Sequence, residues 1–397
     1  MATILPRRRH RLALSKRTAQ LTQSEIRVMS VECARVGGIN LAQGVCDTEL
    51  PAPVGAGAKE AIDQGRNSYT RYDGVDELRE AIAAKLRTYN GIVADPATQI
   101  IVSSGSTGAF YAACLALLNP GDEVVLFEPY YGYHLNTLLA VDAVPAYVTM
   151  RAPDWTFSSD DLERVATPRT RGILVNTPAN PSGKVFSRAE LEWVRDFAVR
   201  HDLFVFTDEI YEYFLYDGRE HISPATLAGM DERTITMSGL SKTFAITGWR
   251  IGYTASHERW AQVIGYMSDL VYVCAPAPLQ WGAAKGLRDL SPEFYQRLAE
   301  DYAAKRDRLC GALDRAGLTP CSPQGAYYVL ADASRLPGAT SKEKAMHLLA
   351  RARVATVPGE AFYHGSDGDN LIRFCYAKTD DELDEACRRI EALTIAE

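Results

Sequence analysis

Ser238-Gly239-Leu240-Ser241-Lys242-Thr243-Phe244-Ala245-Ile246-Thr247-Gly248-Trp249-Arg250 follows directly on the β-branched run Thr234-Met237. A lysine just past a strand end, with an arginine further along the same turn, offers one ligand both an amine nucleophile and an anion clamp. A desolvated lysine loses its proton more readily and forms a Schiff base with an aldehyde, while arginine suits bidentate phosphate binding. An isolated Lys and Arg are by default a surface pair. The reading therefore turns on what the chain places at the neighbouring strand ends.

Working outward, short β-branched runs alternate with helical stretches from about residue 100: Gln99-Val102, Glu123-Phe127, Ala146-Thr149, Gly172-Val175, Leu203-Thr207, Thr234-Met237 and Arg250-Thr254. This alternation predicts an α/β fold, a large domain with a mostly parallel seven-stranded sheet flanked by helices. Ligands of such sheets bind beyond the carboxyl ends of the strands. A helical pattern over Pro292 to Arg315 links to a smaller α+β domain, with a strand at Ala326-Leu330, a helix near Ser341-Arg351, a strand at Leu371-Tyr376 and a closing helix at Asp380-Leu393. The expected organisation is an N-terminal arm over 1–30, a small domain formed by 31–52 and 290–397, and a large domain over 53–289.

Three more strand ends carry suggestive residues. Leu203-Thr207 runs into Asp208-Glu209-Ile210-Tyr211, and a carboxylate at the end of a buried strand needs a cationic or hydrogen-bonding partner. Gly172-Val175 opens into Asn176-Thr177-Pro178-Ala179-Asn180-Pro181-Ser182-Gly183-Lys184, where two prolines restrict the backbone around Asn180. Ile100-Val102 leads through Ser103-Ser104-Gly105-Ser106-Thr107 into an apolar helix, whose free N–H groups and dipole favour a phosphate. Each segment alone is also what an ordinary turn uses. Four at one sheet edge point to a shared ligand.

Composition narrows the partners. The 50 acidic residues outnumber the 43 basic ones for a formal charge of −7, which argues against a nucleic-acid footprint. Apolar stretches such as Ala112 to Leu118 fall far short of the roughly 18 residues of a membrane span. The basic start, Pro6 to Arg11, has no apolar region after it and reads as a solvated arm, not a secretory signal. Cysteines at 33, 46, 114, 274, 310, 321, 375 and 387 show no metal or disulfide spacing. A soluble, cytoplasmic protein is expected.

Taken together, SKTFAITGWRIGY at 241–253, TDEIY at 207–211 and NPSGK at 180–184 make the chain resemble the class I/II aminotransferases of pyridoxal-phosphate (PLP) fold type I, from about Ile39 to the C-terminus. The resemblance implies that Lys242 forms the internal aldimine with PLP and moves the proton during reaction through a quinonoid, and that Asp208 keeps the pyridine nitrogen protonated. It implies that Tyr211 and Asn180 hydrogen-bond the 3′ oxygen, that Tyr131 stacks on the ring, and that Arg250 holds the phosphate with Gly105, Ser106, Thr107 and Ser238. Arg373 and Asn180 are then the clamp for the substrate α-carboxylate, with the backbone of Gly44 beside it. Tyr69 matches a loop lent to a neighbouring subunit, which implies a homodimer with shared active sites. The implied reaction moves the amino group of an L-amino acid to a 2-oxo acid.

Departures from the family pattern bear on the substrate. Gly239 stands where many members have a phosphate-binding serine, so Ser238 or Ser241 must compensate. The family's Gly-x-Pro-Asp-Phe stretch reads Gly44-Val45-Cys46-Asp47-Thr48-Glu49-Leu50-Pro51, which predicts a more polar substrate wall in which Asp47 and Glu49 meet a cationic substrate or water. Val273-Cys274-Ala275-Pro276-Ala277-Pro278 offers no arginine of the kind dicarboxylate-specific members carry, which argues against aspartate as the preferred donor. Arg71 is a substitute for it or a solvent-facing residue, and Tyr133 has no assigned role. The same lysine, aspartate and arginine also serve a lyase, a γ-substituting enzyme or a cyclising enzyme of specialised metabolism, since fold does not fix chemistry. A noncatalytic binding protein is disfavoured by the presence of both Lys242 and Asp208.

Overall fold

Strands β1 (Ile100–Ser104), β2 (Glu123–Glu128), β3 (Val144–Thr149), β4 (Thr170–Asn176), β5 (Phe204–Asp208), β6 (Thr234–Gly239) and β7 (Ile251–Ala255) form one sheet in the order β1-β7-β6-β5-β4-β2-β3. The computed structural model describes residues 14–21 and 23–393. All strands run parallel except β7, which is antiparallel to both neighbours. That reversal has a local consequence. The start of β7 lies where the other strands end, so Arg250, just before it, reaches the same edge as Asn176 and Asp208, which are paired in register across β4 and β5. Arg250 itself is left-handed at φ 55°, so the strand begins one residue later than the sequence pattern suggests.

Helices bury both faces of the sheet, which explains why runs such as Val124 to Phe127 and Ile173 to Val175 carry apolar residues on both faces. Helix α1 (Glu25–Val36) comes first in the chain, followed by α2 (Gly105–Leu117) and α3 (Gly132–Ala140). Ala109 and Phe110 of α2 pack with Leu126, Phe206, Ile235 and Ile264 on one face. On the other, Val125 and Val205 meet Leu191 and Val194 of the helix Arg188–Arg200, which opens with a capping box between Ser187 and Glu190. Gly252 sits between Ser103 and Gly239 in the ladder, directly beneath the start of α2. A Cβ at Gly252 would lie 2.5 Å from the Gly105 carbonyl carbon and 2.6 Å from the Ser106 nitrogen.

Helix α4 (Pro292–Arg315) has the bounds the pattern predicts and buries Tyr302, Leu309 and Leu313. Beyond it, β8 (Thr319–Cys321), β9 (Tyr328–Asp332), β10 (Val357–Pro358) and β11 (Leu371–Cys375) form an antiparallel sheet in the order β10-β11-β9-β8. β9 starts two residues later than expected because Ala326 is left-handed at φ 59° and cannot join the ladder. The expected arm needs correction at its end: Glu25 to Ser30 are already helical, and Met29 and Cys33 of α1 enter the core shared with β9 and β11. The basic run at residues 6–11 lies outside the described residues. Among those described, no helix is long and apolar enough to cross a membrane.

Under the turn that follows β5 lies a buried charge cluster. Lys85 Nζ is 2.5 Å from Glu212, Asn90 Nδ2 donates to Glu212 at 2.8 Å and Glu209 at 3.3 Å, and His221 Nε2 is 2.7 Å from Glu209. Removing one partner of a buried pair leaves an uncompensated charge, which costs about 3–5 kcal/mol. Lys85→Met should therefore lower the unfolding free energy measured in urea by that order, while Lys85→Met with Glu212→Gln recovers much of the loss. Equal losses in the two variants would show that packing, not charge, carries the stability of this region.

Candidate active site

A cleft of about 720 Å³ opens at the carboxyl edge of the large sheet, walled by the ends of β4, β5 and β6, the starts of α2 and α3, and α1. Lys242, on the turn after β6, donates from Nζ to the Gly44 carbonyl at 3.0 Å and lies 5.9 Å and 5.7 Å from the ring centroids of Tyr211 and Tyr327. Burial lowers its pKa, against smaller opposing influences from Cys46 and Cys375. The shift is toward the neutral, nucleophilic form of the amine.

Asp208 closes β5 and is buried. Its Oδ2 lies 2.9 Å from His134 Nε2, and its Oδ1 accepts from the Ile210 backbone N–H at 3.3 Å. His134, in the first turn of α3, escaped the sequence reading; a histidine three residues after a strand-end tyrosine was the available signal. Tyr131, immediately before α3, lines the cleft and packs edge-on against His134 at 5.2 Å, with Tyr133 beside it at 5.3 Å. Tyr211 is buried with its hydroxyl 3.0 Å from that of Tyr328, a second residue the sequence reading did not single out. Burial, reinforced by Tyr328, pushes the Tyr211 phenol well above its ordinary pKa.

Asn180 is held from both sides. Its backbone N–H donates to Asn176 Oδ1 at 2.8 Å, and its own Oδ1 accepts from Arg373 Nη1 at 2.8 Å, leaving the amide nitrogen as the remaining donor. Arg373 is fully buried one layer behind the cleft wall formed by Asn180 and Tyr328. Its Nη2 donates to the Ala42 carbonyl at 2.5 Å, its Cζ stands 4.3 Å above the Tyr328 ring, and its Nε has no partner.

At the opposite end of the cleft the donors face one another. Gly105 has φ 70°, and a Cβ there would fall 2.3 Å from Arg250 Nη2, so the guanidinium lies flush against the opening of α2. Ser106 and Thr107 line the cleft at that helix start. Ser241 also lines it, and its buried Oγ has no hydrogen-bond partner. Ser238 is a correction to the expected set: its Oγ donates to Glu212 at 3.0 Å, away from the cleft. Side chains alternate along β6, and Ser238 falls on the wrong side, whereas Ser241 lies past the strand end.

Several further expectations shift. Asp47 accepts from Lys378 at 2.7 Å and Glu49 lines a separate cleft beside α4, so neither forms the substrate wall. On that side the cleft is lined instead by Ile26, Arg27 and Val31 of α1 and by Val45. Arg71 is tied to Asp73 at 2.7 Å, and Tyr69 is 84% exposed and outside the cleft of its own chain. Gly44 does line it.

PLP fits this arrangement. An orphaned hydroxyl, a helix start and a guanidinium converge as donors for a phosphate, a carboxylate stands across the cleft for a ring nitrogen, and a lysine lies between them.

Comparison with known proteins agrees with the geometry. The family model described as "Aminotransferase class I and II" matches residues 36–390. The chain is 37% identical over 383 residues to aromatic-amino-acid aminotransferase 2 of Thermococcus litoralis, covering 96% of this chain and 98% of the relative. It is equally 37% identical over 383 residues to an aspartate aminotransferase of Pyrococcus abyssi, with the same coverage. Among solved structures, N-succinyldiaminopimelate aminotransferase from Mycobacterium tuberculosis superimposes with a TM-score of 0.93 at 34% identity, covering 96% of this chain and 100% of the other.

If Ser241 supplies the missing phosphate donor, Ser241→Ala weakens PLP binding by about tenfold, the loss expected for one hydrogen bond to a charged group. Ser238→Ala should leave PLP affinity near that of the unaltered protein. Titration of the cofactor-free protein with PLP, followed by absorbance, separates the two; the reverse ranking would restore Ser238 to the site.

Proposed function

Since the chain belongs to the class I and II aminotransferases and is a PLP-dependent amino-acid transaminase, we propose that its donor carries an apolar or aromatic side chain and its acceptor is a dicarboxylic 2-oxo acid. The observation that carries this reading is the charge inventory of the cleft. The charged residues lining it are Arg27, Asp208, Lys242 and Arg250. Three of them have work on the cofactor, at its ring nitrogen, aldehyde and phosphate. With Arg373, behind the wall, reserved for the α-carboxylate, Arg27 is the charged lining residue among those described that is left to meet a substrate side chain, and with them its own side chain makes no hydrogen bond or ion pair. With Asp47 and Glu49 engaged elsewhere and Asp208 given to the ring nitrogen, no other carboxylate among the described residues lines the cleft to receive a cationic side chain. Ile26, Val31, Val45 and the Tyr131–Tyr133 pair give the rest of the wall an apolar character.

Bound PLP supplies an aldehyde that condenses with amines and a ring that accepts the electron pair released when a bond to Cα breaks. The chain's own residues do the rest. Lys242, whose burial lowers its pKa, would hold the cofactor through its amine and, once released, would carry the proton taken from the substrate Cα. Asp208, oriented by His134, holds the proton on the ring nitrogen. Tyr211 and Asn180 donate toward the 3′ oxygen. Arg373, already oriented by Asn180 and Ala42, receives the α-carboxylate. Tyr131 covers the ring face.

A homodimer completes this reading. Tyr69 is 84% exposed, and its loop joins the helix Glu258–Tyr272 through the Tyr72–Tyr266 contact at 6.0 Å. That helix leaves Leu270 80% exposed, with Tyr266 and Val271 also open to solvent. An unpartnered apolar surface of this kind supports a second copy seated on it, with Tyr69 lent to the partner's cleft. Eight unpaired cysteines suit a reducing compartment, which we take to be the cytoplasm.

Single-turnover reaction of the PLP-loaded protein with a panel of amino acids, without any oxo acid, should give one equivalent of 2-oxo acid, fastest with aromatic and large apolar donors. Ammonia release over many turnovers would instead reveal an eliminating lyase. Lys242→Ala abolishes turnover with the fold intact. Arg27→Gln raises the KM of a dicarboxylic acceptor about tenfold while sparing a monocarboxylic one, as expected for loss of one charge-assisted contact; equal effects on both acceptors would remove Arg27 from substrate recognition.

A further inference from the structure

Tyr328 has no part in the reaction as derived above, yet it touches three groups that do. It opens β9, pairs with Cys375 of β11 in the ladder, and projects into the cleft wall. Its hydroxyl is 3.0 Å from that of Tyr211. Its ring face lies 4.3 Å beneath the Arg373 guanidinium carbon. Gly44 approaches so closely that a Cβ there would fall 1.9 Å from the Tyr328 oxygen, and the Gly44 carbonyl is the acceptor for Lys242. Only a residue without a side chain leaves room for this phenol.

A phenol has a single O–H to donate and lone pairs to accept with. Once Tyr211 donates to the 3′ oxygen of the cofactor, its own oxygen is left to accept, and the Tyr328 hydroxyl stands within reach to donate to it. Burial pushes both phenols above their ordinary pKa, so both keep their protons across the working pH range. Linked donors polarise one another in a low-dielectric site. A Tyr211 that accepts from Tyr328 is therefore the stronger donor to the cofactor.

We propose that Tyr328 is a positioning residue that joins the two halves of the site: its hydroxyl strengthens Tyr211 as a donor to the ring oxygen, and its ring face orients Arg373 for the substrate carboxylate. The inference rests on the roles given above to Tyr211 and Arg373. It differs from a mere packing role because it moves the protonation of the cofactor itself, which a core aromatic does not.

The test is a pH titration of the visible absorbance of the PLP-loaded protein, made on Tyr328→Phe, Tyr211→Phe and the double variant. Loss of a donor disfavours the ionised ring oxygen, so the midpoint rises in each case. Tyr328→Phe should raise it by roughly half a unit to one unit, the shift one neutral hydrogen bond supports. Tyr211→Phe should raise it further, and the double variant should match Tyr211→Phe alone, because Tyr328 acts through Tyr211. A shift in Tyr211→Phe without one in Tyr328→Phe overturns the inference and leaves the role of Tyr211 standing. No shift in either overturns the role of Tyr211 and the inference with it. The second half is read from binding of 3-phenylpropionate, an amine-free aromatic carboxylate, to the loaded protein. Tyr328→Leu, which removes the ring face, should weaken it several-fold more than Tyr328→Phe does; equal affinities would remove the link to Arg373.

Discussion

The constraint on which the cleft depends is the passage of β7 beneath the start of α2, at a point where neither side has room for a methyl group. Gly252 faces the Gly105 carbonyl, Gly105 faces the Arg250 guanidinium, and the ladder neighbour Gly239 lies alongside. These three glycines set the separation between a helix start and an antiparallel strand. From that separation follow the convergence of Ser106, Thr107 and Arg250 at one end of the cleft, and the exit of the chain from β6 toward Lys242. Interiors are packed too densely to absorb an added carbon here without moving the backbone.

Electrostatics then divide the cleft along its length. The unpartnered Ser241 hydroxyl, the Arg250 guanidinium and the opening of α2 collect at one end, and the buried carboxylate of Asp208 stands at the β5 end with His134 against it. Lys242 lies between the two, where burial lowers its pKa. Burial that penalises a charged amine is the same burial that strengthens each hydrogen bond around it, so the site gains reactivity and rigidity from one cause. The cluster of Lys85, Glu209, Glu212 and His221 beneath β5 works in the opposite sense, satisfying its charges internally and anchoring the turn that presents Asp208 and Tyr211.

Much of this was legible in the sequence because the chemistry is written at strand ends, where a short run of β-branched residues stops and an unusual side chain follows. Lys242, Asp208, Asn180 and the Gly105 turn were all located that way, and the structure brings them to one cleft. What escaped was non-local or depended on parity. His134 matters because α3 lays it against Asp208, 74 residues away in the chain. Tyr328 reaches Tyr211 across 117 residues. Ser238 and Ser241 look interchangeable in a string of letters, and only the alternation of β6 distinguishes them. Asp47 and Glu49 suggested a polar wall, but a neighbouring lysine and a different cleft absorb them. Residues 25–30 read as part of a basic arm, although Met29 and Cys33 carry the helical spacing that buries α1.

The two walls of the cleft have different origins in the chain. The residues proposed to hold the cofactor stand mostly at the ends of the large sheet's strands or on the turns and helix starts that follow them, and those ends are locked by register and by glycine contacts. The wall that faces the substrate side chain comes largely from α1 and the stretch around Val45, which are joined to that sheet through packing and not through a ladder. Mutations in α1 can therefore accumulate without loosening the hold on the cofactor. Such a division lets one wall of the cleft change its shape and polarity while the other keeps its chemistry, and it puts that freedom in α1 and the stretch around Val45.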